Sequence, residues 1–132
     1  MRTTFYLLLT ILTLSLNVQA QTGNNEKIRV NLAGVVATEK TPAEILIGTI
    51  TKVPRLIIDP AYYKIVSFRT VILRPHMDAQ IFTTTRNHLS DATLAELKKA
   101  EDGTRITIDQ ITVEANDKKT NLDGISYTLK LN

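Results

Sequence analysis

The two histidines are the side chains best suited to bind a metal ion or to exchange a proton near neutral pH. His76 and His88 lie in segments that read as loops, and Asp78 follows His76 by two residues. A zinc site needs three or four such ligands, and the chain has neither a cysteine nor an HExxH sequence to supply the others. We therefore expect two solvated loop histidines, with no metal and no other cofactor.

The serines and aspartates do not complete a catalytic group either. Beyond residue 20 the serines are Ser67, Ser90 and Ser126, and none lies in a GxSxG sequence. Asp109 and Asp123 could approach each other across a hairpin, but paired glycosidase carboxylates flank a cleft, and the chain has no tryptophan to stack on a sugar. No glycine-rich loop precedes a helical segment, so nucleotide binding has no support. The sequence predicts a protein that is not an enzyme.

The basic residues are spread singly along the chain rather than gathered on one helix face. The formal net charge is +3, from 16 Lys and Arg against 13 Asp and Glu. A nucleic-acid interface needs clustered Lys and Arg with stacking aromatic side chains. We therefore expect no nucleic-acid partner.

The first twenty residues have the pattern of a cleaved export signal. Arg2 precedes an apolar run from residue 5 to residue 16, and the small-x-small sequence at 18–20 predicts cleavage between Ala20 and Gln21. This run is shorter than the roughly 20 residues that a transmembrane helix needs, so no integral membrane segment is expected after cleavage. The expected organisation is a signal peptide at 1–20, a flexible arm at 21–27 and a single domain at 28–132. The expected location is the periplasm, with release from the cell as the alternative.

One segment changes from helical to strand periodicity at a glycine. The three leucines within 89–97 fall on one face of a helix, and the charged residues fall on the other faces. Ser90 is a suitable N-cap, and Gly103 supplies the left-handed residue that ends many helices. We predict a short helix over about 90–102 that packs on a sheet.

Most of the remaining chain shows the alternation of β-strands. The segment 62–73 is apolar on both faces, which is typical of a central strand. The apolar positions of 104–115 change parity near Asp109–Gln110, and those of the last strand change near Asp123–Gly124. Each change indicates a β-bulge, so we expect a C-terminal hairpin bent in both strands, with its turn at 116–119.

Further strands are expected at 28–32, 43–51, 55–59 and 80–85. The segment 43–51 is ambiguous, because one helical turn at 43–46 fits as well as a strand. Together these patterns predict a mainly β, α+β fold. We expect an antiparallel sandwich-like domain with one short helix and a bulged C-terminal hairpin.

Three segments resemble the C-terminal domain of the GldM/PorM family. They are IGTITKVPRLIIDPAYYKIVSF at 47–68, LAELKKAEDGTRITIDQITVEA at 94–115 and LDGISYTLKL at 122–131. The residues that match the family's pattern are Gly48, Ile50, Thr51, Tyr63, Lys64, Ser67, Phe68, Leu97, Gly103, Ile108, Ile111, Ala115, Ile125 and Tyr127. The last hairpin turn departs from the family, which commonly has glycine there. This chain must instead place Asn or Asp of 116–119 in the left-handed region.

The resemblance implies a part in gliding motility and type IX secretion. The full-length family protein has an inner-membrane anchor and several periplasmic domains, and it is considered to pass energy to an outer-membrane ring through its C-terminal end. With a cleavable signal and one domain, this chain is expected to be auxiliary to such machinery. The expected partner is another cell-envelope protein, and homodimer formation is left open.

Four residues are candidates for contact with a partner, because tyrosine and arginine are enriched at protein interfaces. They are Tyr62, Tyr63, Arg69 and Arg74. Neighbouring tyrosines on a strand face opposite ways, so one is expected in the core and the other exposed. Packing of these aromatic rings under the N-terminal strand is the alternative.

Two other functions compete with an interaction module. One is a small-ligand or glycan-binding accessory β domain of a secreted system, against which the lack of tryptophan argues. The other is a small hydrolase, which needs a cluster of polar side chains that the sequence does not display.

Overall fold

The computed structural model describes residues 27–131. The predicted signal peptide, its Ala20–Gln21 cleavage point and nearly all of the predicted arm at 21–27 lie outside the described residues. The elements within the described range are β1 (Arg29–Leu32), β2 (Ala43–Leu46), α1 (Ile47–Lys52), β3 (Leu56–Asp59), β4 (Lys64–Leu73), β5 (Gln80–Thr85), α2 (Asp91–Leu97), β6 (Arg105–Ala115), β7 (Lys118–Leu122) and β8 (Ile125–Lys130).

The strands form two sheets, and the predicted mainly β, α+β class is confirmed. β1 and β3 make a two-stranded antiparallel sheet. The larger sheet has the order β2, β8, β6, β4, β5, and β7 and β8 pair with successive parts of β6. The expected antiparallel pairing holds for every strand pair of residues 27–131 except one, since β2 runs parallel to β8. No hairpin joins these two strands, so their relative direction is not set by a turn.

The core lies between one face of the larger sheet and the small sheet. Its largest fully buried side chains are Leu32, Ile50, Leu56, Phe68, Ile72, Leu97, Ile106, Ile108, Ile111, Val113, Tyr127 and Leu129. They come from both sheets and both helices. Most of these side chains belong to strands β4, β6 and β8 of the larger sheet. Because burial of one such side chain contributes roughly 1.5–3 kcal/mol, the inner face of the larger sheet contributes most of the packing energy.

Tyr127 joins the two sheets through its phenol. The backbone N–H of Leu32 donates to Tyr127 Oη at 2.8 Å, and the hydroxyl donates to the carbonyl oxygen of Val35 at 2.6 Å. Burial raises the pKa of Tyr127 because a phenolate would lose its hydration, while the Leu32 hydrogen bond lowers the pKa by less. The phenol is therefore neutral at physiological pH and keeps both bonds.

The C-terminal hairpin is bent in both of its strands, as the two parity changes predicted. The first half of β6 pairs with β8 and the second half pairs with β7, and the break falls at residues 109–110 of β6 and 123–124 of the returning chain. Gln110 has a φ of 47° at this break. A Cβ on Gly124 would lie 3.1 Å from the carbonyl oxygen of Ile108. A side chain at position 124 would therefore crowd the Ile108 carbonyl where the two bends meet.

The hairpin turn uses two residues rather than the four predicted. Asn116 and Asp117 have φ values of 53° and 60°, and Ala115 pairs directly with Lys118. Two consecutive left-handed residues are the mark of a type I′ turn, which matches the twist of the flanking strands. The expectation that Asn or Asp would take the left-handed conformation is confirmed, while Lys118 and Lys119 belong to β7.

β4 is central, as predicted, but it contains a bulge that the sequence pattern did not reveal. Its register against β6 shifts between Ile65 and Ser67. Strict alternation would place Val66 on the same face as Phe68, yet Ile65 is the residue that is buried with Phe68. Because Ile65 and Val66 are both apolar, the change of face left no trace in the hydrophobic pattern.

α2 has the predicted start but ends sooner than predicted. Ser90 Oγ accepts a hydrogen bond from the N–H of Thr93 at 3.1 Å, which confirms Ser90 as the N-cap. The helix ends at Leu97 instead of about 102, because i to i+3 bonds, such as Ala100 N–H to Leu97 carbonyl, tighten the chain into turns. Gly103 is left-handed at φ 89°, but it lies in the turn that precedes β6 rather than at the end of the helix.

The prediction of one strand over 43–51 is wrong in its second half. β2 ends at Leu46, and the short helix α1 follows at once. Within α1, Ile50 is fully buried and Ile47 is partly buried against the core. Their spacing of three places both on one helical face, so core packing overrides the strand propensity of the β-branched residues.

Candidate interaction surface

The histidines lie in loops, as predicted. His76 lies in the β4–β5 connection and has a φ of 60°. His88 lies before α2, and its Nδ1 is 3.1 Å from Asn87 Oδ1. Within residues 27–131, no group of three or more His, Asp and Glu side chains could hold a metal ion.

The serines have structural partners. Ser90 caps α2, and the Ser126 hydroxyl is 3.2 Å from that of Thr107 on the neighbouring strand. Ser67 lies within β4, in register with Thr85 of β5 and Thr112 of β6. These contacts account for the serines by sheet pairing and capping.

Arg69 and Asp109 form a two-pronged ion pair across β4 and β6. Arg69 Nε donates to Asp109 Oδ1 at 2.7 Å, and Nη2 donates to Oδ2 at 2.6 Å. The hydrogen bonding of the Arg69 guanidinium to the Asp109 carboxylate raises the pKa of Arg69. The two side chains are 32% and 25% exposed, so the pair lies on the outer face of the larger sheet. Asp109 is thus engaged at the bulge with Arg69.

Arg74 connects the end of β4 to α2. Its Nε is 3.2 Å from Glu96 Oε1, and the side chains are only 18% and 12% exposed. Glu96 Oε1 accepts no hydrogen bond in the described part of the chain, so this is a charge contact rather than a directed bond. Arg74 Nη1 also donates weakly to the carbonyl of Lys99 at 3.4 Å. Arg74 therefore contributes to helix docking and presents little surface.

Tyr62 and Tyr63 stack on each other before β4 begins. Their ring centroids are 4.7 Å apart with 28° between the planes. Tyr62 is 57% exposed, whereas Tyr63 is partly buried against the core. The expected division into one inner and one exposed tyrosine therefore appears, but in a turn rather than on a strand.

The structure does not bring the four candidate contact residues together. The tyrosines precede β4, Arg69 lies in its middle and Arg74 follows its last residue. A strand rises about 3.3 Å per residue, so the ten residues of β4 span roughly 33 Å. The four residues cannot belong to one small patch, and their contact with a partner stays a prediction.

Sequence reasoning predicted β5 but missed that it is an edge strand. It pairs with β4 over six consecutive residues, Gln80–Thr85, without a register shift. No other strand of residues 27–131 pairs with its second side. Ile81 is 59% exposed on the outer face, next to Val71 of β4, and Phe82 is partly buried on the inner face. The uncharged sequence QIFTTT was visible, but its position at an edge needed the sheet order.

The geometry defines a mainly β, α+β protein in which the candidate serines and arginines are engaged by neighbouring elements and in which, within residues 27–131, the β5 edge of the larger sheet is unpaired. The chain belongs to the GldM C-terminal domain family, whose model matches residues 17–130. The suggested resemblance is thereby confirmed, and with it a relation to gliding motility and type IX secretion.

Membership of this family indicates a component of cell-envelope machinery. No curated protein matches the chain. None of the helices in residues 27–131 is long and apolar enough to cross a membrane.

Proposed function

We propose that this chain is an exported, non-catalytic interaction module that is auxiliary to gliding-motility or type IX secretion machinery. The observation that carries the proposal is the family match over residues 17–130, which includes every described element. In this proposal the chain has a cleaved signal at 1–20, a flexible arm at 21–27 and one domain at 28–132. It acts in the periplasm on another cell-envelope protein.

The placement of the polar groups supports a binding role. Arg69 is bound to Asp109, and Arg74 is held against Glu96. Both ion pairs join neighbouring elements, which accounts for these two arginines by a structural role. The described surface also exposes large aromatic and aliphatic side chains, including Tyr62 and Ile81. Side chains of this kind dominate the buried centres of protein interfaces.

Among the four predicted contact residues, we propose the stacked tyrosines as the principal contact. The stacking of Tyr62 on Tyr63 presents an aromatic surface whose rings are already fixed, which lowers the entropy lost on binding. Arg69 and Arg74 remain proposed contacts at the margin, because each is already held by an internal acid.

Capture from the cell tests this function. The tagged protein is expressed in its own host, cross-linked in living cells, and purified from envelope extracts at modest salt. We expect one or a few envelope proteins to be recovered at a fixed ratio, and Tyr62→Ala to reduce that recovery. The matched control is Thr120→Ala, an exposed substitution on β7. Recovery of no envelope protein, with the purified domain monomeric, contradicts the proposal.

Export is tested separately. The mass of the protein recovered from the periplasmic fraction is expected to correspond to a chain that begins at Gln21. A protein that retains residues 1–20, or that stays in the cytoplasm, contradicts the exported role.

A further inference from the structure

The edges of the two sheets differ in how well they resist pairing with another strand. An edge strand presents unpaired N–H and C=O groups, and proteins usually protect such edges with charge, proline, bulges or short length. β2 has four residues, and its Glu44 lies 3.4 Å from Lys130 in an ion pair. β7 begins with the exposed Lys118 and Lys119. These two edges are protected.

The small sheet is protected in other ways. β1 has four residues and includes the exposed Arg29. The start of β3 is covered by the segment before α2, since Leu56 N–H donates to the Asn87 carbonyl at 2.8 Å and Leu89 N–H donates to the Pro54 carbonyl at 2.9 Å. Neither strand offers a long free ladder.

β5 has none of these protections. Its six residues, QIFTTT, contain no charged side chain and no proline, and their pairing with β4 has no bulge. In an antiparallel ladder, every second residue of an edge strand directs its N–H and C=O away from the neighbouring strand. β5 therefore presents backbone groups that only another extended chain can satisfy in a regular pattern.

We propose that β5 is the docking edge of this protein and that its occupant is an extended segment of the partner protein, added as an antiparallel strand. This inference rests on the proposed function, because it identifies the surface and the kind of partner for that role. Main-chain hydrogen bonds supply the attraction in this binding mode, and the side chains supply the choice of partner.

The side chains of β5 define the sequence that fits. Opposite residues in an antiparallel pair point to the same face. A partner residue opposite Ile81 meets an exposed aliphatic side chain on the outer face, and the next one, opposite Phe82, meets a partly buried aromatic ring on the inner face. Two adjacent apolar residues are therefore required. The positions opposite Thr83, Thr84 and Thr85 accept β-branched or hydroxyl residues.

Charge fixes the direction of the segment. Arg86 follows β5, is exposed, and forms no ion pair within residues 27–131. An acidic residue opposite Arg86 adds a charge-assisted contact at the end of the ladder. In an antiparallel partner this acid lies on the N-terminal side, so the segment reads acid, three β-forming residues, then two apolar residues.

A second copy of this chain fits β5 less well than such a segment. If the β5 strands of two copies paired antiparallel about Thr83, Gln80 of one copy would lie opposite Arg86 of the other. Gln80 is uncharged, so it could not form an ion pair with Arg86. A six-residue edge is also much smaller than the roughly 20–30 residues a side of a stable interface. The β5 edge therefore fits a short peptide segment better than a second folded copy of the chain.

The probe is the blocked peptide acetyl-DTVTVIT-amide, which has this pattern over Arg86 to Gln80. It is titrated into the ¹⁵N-labelled, processed protein and followed by amide chemical shifts. We expect saturable binding, with the largest shifts at residues 80–86. The peptides KTVTVIT and DTVPVIT, blocked in the same way, are expected to bind more weakly, because one loses the acid and the other a main-chain donor.

Ile81→Lys is the decisive variant, because it places a charge on the edge without touching a buried side chain. It is expected to weaken the binding of DTVTVIT by about tenfold or more, which corresponds to the loss of about 1.4 kcal/mol. Thr120→Lys on β7 is the matched control and is expected to leave the affinity unchanged. Equal thermal unfolding midpoints for the three proteins confirm that the fold is kept.

Several results overturn the proposal. They are shifts centred on β2 or β7, the absence of saturable binding, and equal affinity for DTVTVIT and DTVPVIT. A concentration-dependent dimer that Ile81→Lys dissociates assigns the edge to a second copy and also overturns it. Capture of an envelope protein with no peptide effect rejects the edge while leaving the proposed function intact. Peptide binding with no captured protein rejects the function alone.

Discussion

The two faces of the larger sheet are built by different means, and adjacent residues of β4 illustrate this. Phe68 points inward and is almost completely buried, while Arg69 points outward and pairs with Asp109. The inner face joins both sheets and both helices, so a change there disturbs several elements at once. The outer face is held by pairs of polar side chains on neighbouring strands. We infer that stability resides on the inner face and that the outer face is freer to vary.

The largest expected effect on stability comes from removing a large side chain from the inner face. Phe68→Ala is expected to lower the free energy of unfolding by about 3–5 kcal/mol, because the lost ring leaves a cavity in the core. Urea titration followed by circular dichroism measures this. A loss below about 1 kcal/mol means that the core collapses onto the space, and the contrast between the two faces is then weaker than the structure suggests.

A smaller loss is expected at the link between the sheets. Tyr127→Phe keeps the ring but leaves Leu32 N–H and the Val35 carbonyl without their partner. Leaving a buried polar group unsatisfied costs about 1–3 kcal/mol. Chemical denaturation at neutral pH checks this value. An unchanged midpoint indicates that water replaces the hydroxyl.

The same tyrosine predicts a dependence on pH. Since the pKa of Tyr127 is raised in the folded state, the unfolded chain loses this proton first as the pH rises past about 10. The neutral phenol's contribution is therefore fully present below the unfolded pKa and is lost as the pH rises through the folded pKa. The stability difference between wild type and Tyr127→Phe is expected to shrink above about pH 10. A constant difference contradicts this reasoning.

One inner-face substitution is expected to stabilise the protein. Thr70 is completely buried, and its hydroxyl has no hydrogen-bond partner in the described part of the chain. Thr70→Val replaces this hydroxyl by a methyl group of similar shape and is expected to raise the free energy of unfolding by about 1 kcal/mol. Thr83→Val, at an exposed outer position, is the matched control with little expected change. A destabilised Thr70→Val protein indicates a water bonded to the hydroxyl.

The smallest effect is expected on the outer face. Arg69→Ala removes an ion pair that is partly screened by water, and exposed pairs contribute little to stability. Its unfolding midpoint is expected to move less than that of Tyr127→Phe, and the difference is expected to shrink further in 1 M salt. Thermal melts at low and high salt measure both. A loss as large as that of Phe68→Ala removes the distinction between the faces.

The predictions from sequence succeeded where a structural feature changed the hydrophobic pattern. The β6 bulge was visible because Ile108 and Ile111 differ in parity, and Ser90 had the residue type and position of an N-cap. The β4 bulge was invisible because Ile65 and Val66 are both apolar. The short helix α1 was missed because its isoleucines favour strands, and only the core to which Ile50 belongs decides otherwise.

The candidate surface was less accessible to prediction than the fold. Residue type alone suggested Arg69 and Arg74, but it could not show that each is held by an acid, since Asp109 lies 40 positions away from Arg69. The β5 strand was predicted with its observed bounds. Its position at an unprotected edge depends on how β4, β6 and β8 assemble, and no local pattern encodes that order.

The parallel pairing of β2 with β8 has a consequence for the order of folding. It joins residues 43–46 to residues 127–130, so its formation closes a loop that contains most of the sheet. Closing so long a loop is entropically unfavourable and slow unless the intervening strands are already in place. We expect β2 to acquire hydrogen-exchange protection last during refolding, after the β4–β5 and β6–β7 hairpins. The intervening strands of the larger sheet are therefore expected to be assembled before β2 pairs with β8.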